Sequence, residues 1–99
     1  MRTIVVDDMR IGLRRVERNV YTVVYHLGTE EEAAIGSLYQ GNSDPWRAMH
    51  TESGVSFGGQ SQAQAAGRMV IYHRQRLATA EQRAAAEPPP PPAGQLSMF

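Results

Sequence analysis

Ten basic side chains occur in this sequence and all are arginines. Arg10, Arg14, Arg15 and Arg18 fall within nine residues with only Glu17 among them, and Arg68, Arg74, Arg76 and Arg83 follow in a later segment. Guanidinium forks match phosphate oxygens, so Arg10, Arg14, Arg15, Arg18, Arg68, Arg74 and Arg76 are candidate nucleic-acid contacts. The competing reading is a set of solvated faces, with Glu30, Glu31, Glu32, Asp44 and Glu52 as counter-charge. Tyr21, Tyr25, Tyr39 and Trp46 could stack bases, but they sit in strand-like runs where core or cross-strand packing accounts for them. Catalytic signals are sparse. Asp7-Asp8 would alternate to opposite faces of an extended strand, and a nuclease would want a second carboxylate pair. His26, His50 and His73 stand isolated without the spacing of zinc ligands, and His73 reads as a core histidine. Ser53-Gly54, Ser56 and Gly58-Gly59 lack the spacing of a phosphate-binding loop. The expectation is a binding protein, not an enzyme, with no metal and no cofactor.

Composition narrows the class. Ninety-nine residues allow one small domain, close to the size at which a single core becomes marginal. The formal net charge is zero, which argues against electrostatic coating of DNA or anionic membrane as the main activity. That neutrality is uneven: residues 1–18 carry +2, residues 19–67 carry −4 and residues 68–87 carry +2. Cysteine is absent, so disulfides and thiolate chemistry are excluded. No apolar run approaches a membrane span, the first residues lack a signal-peptide core, and a cytoplasmic location is expected.

These residues must be positioned by a small framework. Thr3–Val6 is a short β-branched run, and Ile11, Leu13 and Val16 lie loosely among arginines. Val20–Leu27 alternates in the manner of a strand, Ala34–Tyr39 is a further one, and Trp46–His50 another. Gly28 to Glu32 and Gly41 to Pro45 supply turns, and Gly54 with Gly58-Gly59 leads into a helix. Ser61 and Gln64 fit a capping box. Ala63, Ala66, Val70, His73 and Leu77, with Met69 beside them, fall on one face at helical spacing. Gly67 costs such a helix about 1 kcal/mol relative to alanine, which a closely passing strand would explain. The expected fold is α+β: an antiparallel meander of four to five strands packed by one C-terminal helix over about 61–86. The globular domain is expected over 1–87, with sheet-edge pairing into a homodimer open to it.

The composition then changes. Five prolines, Pro88–Pro92, precede Ala93-Gly94. Proline fixes φ and lacks an amide hydrogen, so residues 88–94 are expected as a polyproline linker, the prolines spanning roughly 15 Å. Gln95-Leu96-Ser97-Met98-Phe99 follows, expected as an apolar peptide at the tip of an otherwise disordered tail. A clustered Leu, Met and Phe on a stalk calls for a groove that accepts them.

This pentapeptide resembles the motif by which bacterial proteins dock on the replication sliding clamp, in which glutamine, leucine, a small or acidic residue, leucine and phenylalanine follow one another. The resemblance covers residues 95–99 only and departs at Met98, a near volume-conserving replacement of leucine. It implies that Gln95 bonds polar groups at a pocket edge while Leu96, Met98 and Phe99 enter apolar subsites. Its implied role is an adaptor at the replication or repair machinery, or a competitor of polymerases of phage or mobile-element origin. An arginine-based nucleic-acid-binding module, or an interaction domain whose tail meets another partner, are the alternatives.

Overall fold

The computed structural model of the chain describes residues 1–86. The expected linker and the pentapeptide lie outside the described residues. Six strands pair in sequence order into one antiparallel sheet: β1 (Arg2–Val6), β2 (Met9–Glu17), β3 (Val20–Tyr25), β4 (Ala33–Tyr39), β5 (Trp46–His50) and β6 (Ser56–Gly59). The sheet curls into a half-barrel, packed by a single helix, α1 (Gln62–Ala86). The helix touches β1, β4, β5 and β6, so both ends of the meander wrap towards it.

Turn chemistry sets the register. Asp7 and Asp8 both take positive φ, 48° and 63°, between the paired residues Val6 and Met9. That is the two-residue hairpin turn whose twist matches the strands. The adjacent carboxylates therefore form a turn and no longer alternate across a strand. Asn19, at φ 60°, likewise lets Glu17 face Val20. The third strand stops at Tyr25, two residues before the expected end, because His26 enters the left-handed region at φ 53°.

Alternation then separates two faces. Met9, Ile11 and Leu13 of β2, Val23 and Tyr25 of β3, Leu38 of β4 and Ala48 of β5 point to the helix and are buried. Ala65, Ala66, Met69 and Val70 of α1 complete the core. The helical face differs from the expected one by a rotation: Ala63 is exposed, Ala65 is buried and Leu77 is 42% exposed. The reason is geometric. Close approach to β6, whose Gly59 would place a Cβ 2.6 Å from the Ala65 amide nitrogen, turns the small Ala65 and Ala66 inward. Leu77 lies on a stretch exposed from Arg74 to Ala85, past the reach of the sheet. β1 does pass Gly67, but not closely enough to require glycine, since a Cβ there would meet only Val6 Cγ2, at an ordinary 3.9 Å.

The sixth strand corrects the expected strand count. Ser56–Gly59 reads as a loop because two of its four residues are glycine, which strands disfavour. Yet Trp46, Arg47, Ala48 and Met49 face Gly59, Gly58, Phe57 and Ser56 in register. The glycines make room for the helix at Gly59 and for the Asp44 carboxylate over Gly58. Helix capping follows the expected pattern with one variation. Ser61 Oγ accepts the Gln64 amide at 3.1 Å, while the Gln64 side chain accepts from the Gln60 amide at 2.6 Å instead of from Ser61.

Candidate functional site

The antiparallel meander sends alternate turns to opposite ends of the half-barrel, and this sorts the charges. One end gathers the β1–β2 turn, the β3–β4 loop and the β5–β6 turn, which carry Asp7, Asp8, Glu30, Glu31, Glu32 and Glu52. The other gathers the start of β1, the β2–β3 turn, the β4–β5 loop and the start of α1. It carries Arg2, Arg14, Arg15, Arg18, Arg47 and Arg68 against Glu17 and Asp44. The neutral chain thus separates its turns into a basic end and an acidic one, with Arg10 and the later arginines of α1 nearer the acidic end.

The helix runs from the basic end towards the acidic one. Arg68 donates to the Gly58 carbonyl at 2.6 Å, Arg74 pairs with Asp7 at 3.6 Å and Arg76 with Glu52 at 3.3 Å. Arg47 pairs with Asp44 at 3.0 Å. Among the described residues, no carboxylate lies within ion-pair distance of Arg10, Arg14, Arg15 or Arg18. The seven candidate arginines therefore divide: Arg74 and Arg76 face a carboxylate, Arg68 is occupied by a carbonyl, and the four of β2 and its turn are exposed and unpaired among the described residues.

At the basic end, Arg15 is the cross-strand partner of Tyr21. The Tyr21 and Trp46 rings lie 6.1 Å apart at 59°. Both rings are half-buried against the core, whereas Tyr25, further along the same strand face, is only 4% exposed. Burial pushes the Tyr25 phenol above its ordinary value, with nearby Arg74 opposing. Of the four candidate stacking residues, Tyr25 belongs to the core and Tyr39 to the opposite face of the sheet, opposite Arg47.

The acidic end holds a cluster that sequence reading treats as separate residues. His50, 1% exposed at the end of β5, and His73 of α1 meet with Nε2 and Nδ1 2.9 Å apart. The Ser53 amide donates to His50 Nδ1 at 3.2 Å and Ser53 Oγ lies 3.0 Å from the same nitrogen. An acceptor at Nδ1 puts the proton of neutral His50 on Nε2, which donates to His73, whose own proton then sits on Nε2. Tyr25 packs its ring edge-on to His73 at 4.7 Å and Tyr72 edge-on to His50 at 5.3 Å. Burial holds both imidazoles below their ordinary value, with Arg76 adding to the effect on His50 and His50 to that on His73. Hydrogen bonding to Ser53 and Arg76 lowers the Tyr72 phenol. His26 stays apart, 3.6 Å from Glu31.

Serine, imidazole and a second imidazole stand in the order of nucleophile, base and orienting group. The orienting member here is a neutral acceptor, and Ser53 Oγ also accepts the Val55 amide at 3.3 Å, inside a tight hairpin turn. A 260 Å³ surface cavity lined by Ala34, Ile35, His50, Thr51, Glu52 and His73 adjoins the pair but not the Ser53 hydroxyl. What this geometry does is hold two bases in one tautomeric arrangement and resist a second proton. Their 23-residue separation hid the contact; the signal was a histidine on the helix face one strand away from another at a strand end.

Comparison with known protein families, curated proteins and solved structures returns no match to the chain.

Proposed function

We propose that the chain is a small adaptor or modulator of the bacterial replication sliding clamp, docking through Gln95, Leu96, Met98 and Phe99. One observation carries this reading: a five-residue peptide with glutamine, two aliphatic side chains and an aromatic anchor, displayed after five prolines. Five consecutive prolines, each fixing φ, would lower the ordering cost of docking, and few concentrated contacts suffice for binding. Two uses are open to such a peptide. As a tether, it raises the effective concentration of its domain at the replication or repair machinery to about the millimolar range. As an occupant of the pocket, it excludes polymerases, an activity that suits a phage or mobile element.

Calorimetry of the full chain against purified clamp tests the reading. Saturable binding is expected, lost on truncation after Glu87, largely lost with Phe99→Ala, weakened by Leu96→Ala and indifferent to Ser97→Ala. No heat at tens of micromolar, or binding that survives the truncation, refutes it. Clamp-dependent primer extension separates the two uses: an occupant suppresses extension, whereas a tether at stoichiometric amounts leaves it intact.

A further inference from the structure

We infer that the basic end of the half-barrel binds single-stranded nucleic acid, with Arg14, Arg15 and Arg18 holding phosphates and the Tyr21–Trp46 pair stacking a base. The inference rests on the globular part alone and stands independently of the tail.

Three observations converge. The first is charge: residues 14–25 contain three arginines, Arg14, Arg15 and Arg18, and one acid, Glu17, and no carboxylate of the described residues reaches any of the three. The acids that neutralise the whole chain lie chiefly at the opposite end. The second is edge geometry. Pairing between β1 and β2 ends at Leu13, so residues 14–17 border the sheet with β3 on one side only. Arg14 faces Thr22 and Arg15 faces Tyr21, so the two guanidiniums leave opposite faces and straddle this edge, with Arg18 in the turn beyond. The third is aromatic. Tyr21 stands opposite Arg15, its ring contacts that of Trp46, and both rings retain exposed surface. A phosphate-binding border beside an accessible ring pair is the combination that single strands use, since every base offers a π-face. Duplex DNA would leave the rings idle because its bases are already stacked. Arginines on a sheet edge also discourage strand pairing between molecules, but that role needs no aromatic neighbours.

Trp46 is the only tryptophan of the chain, so its fluorescence reports the site directly. Titration of the full chain with oligothymidylate at low salt is expected to give saturable quenching, matched by anisotropy of the labelled oligonucleotide. Three phosphate contacts on a single strand give a log–log salt slope of about −2, so a fourfold rise in salt weakens binding roughly 15- to 20-fold. Arg14→Ala, Arg15→Ala and Arg18→Ala together change only exposed side chains. The triple variant is expected to keep its circular dichroism, lose most of the affinity and flatten the salt slope. Tyr21→Leu is expected to weaken binding about fivefold or more at unchanged slope. Absence of quenching and anisotropy change, binding unaffected by the triple arginine substitution, or tighter binding to duplex of equal length would each overturn the inference. Because no clamp is present in this assay, its result and that of the clamp titration are independent.

Discussion

Replacing Gly67 by alanine is expected to stabilise the domain, and the size of the gain follows from its surroundings. Gly67 lies inside α1 between the buried pairs Ala65-Ala66 and Met69-Val70. Its Cβ would meet only Val6 Cγ2, at 3.9 Å, an ordinary van der Waals contact. Alanine is favoured over glycine in a helix interior by about 0.8–1 kcal/mol. A half-buried methyl group against Val6 adds a few tenths of a kcal/mol. The sum is about 1–1.5 kcal/mol. Unfolding a domain of this size releases entropy of about 0.18 kcal/mol per kelvin, so the melting temperature should rise about 5–8 °C. Thermal melts by far-UV circular dichroism measure this. Gly36→Ala supplies the contrast, since its Cβ would overlap the Met49 carbonyl and approach Met69 Sδ to 2.6 Å, so that variant should melt lower. An unchanged or lowered melting temperature for Gly67→Ala would refute the placement of this turn of the helix beside β1.

Two further outcomes are accessible to the same melts. Ser61→Ala removes the acceptor of the Gln64 amide and should cost about 1 kcal/mol; no loss would show that the Gln64–Gln60 bond alone holds the first turn. The histidine pair makes stability pH-dependent in a definite direction. Burial depresses both folded-state values, so below about pH 6.5 the unfolded chain binds protons that the folded pair refuses. Stability is therefore complete above that pH and declines as acid is added through the depressed values. His73→Gln should flatten this decline in denaturant midpoints, and an equally steep acid dependence in that variant would contradict it.

Much of the scaffold can be read from local chemistry, and the failures are instructive. A valine- and tyrosine-rich run locates β3, and apolar residues between turn signals locate β4 and β5, to within a few residues, because one face of each is buried. The helix start is legible because Ser61 and Gln64 satisfy its first amides. β6 escaped because its glycines answer to the neighbouring helix and to Asp44, a tertiary demand with no local periodicity. The rotated helix face has the same origin: composition offers alanines on several sides, and only the approach to Gly59 selects Ala65. The arginines are visible in sequence as a group, but whether each is paired depends on which end of the barrel its turn occupies. Arg74 and Arg76 reach Asp7 and Glu52 across 67 and 24 residues of chain, distances that no spacing rule anticipates.

The identity of spatial and sequential strand order has a consequence for synthesis. Every strand pairs with the one made just before it, so the sheet can zip as the chain emerges, each addition closing only a short loop. The lid comes last. Until the segment from Ala65 to Val70 has left the ribosome, Ile11, Leu13, Val23, Leu38 and Ala48 form an uncovered apolar trough. Nascent chains that pause at β6 would be the species most exposed to aggregation and to chaperone capture. The helix is thus both the final structural element of the described domain and the event that commits it to the folded state.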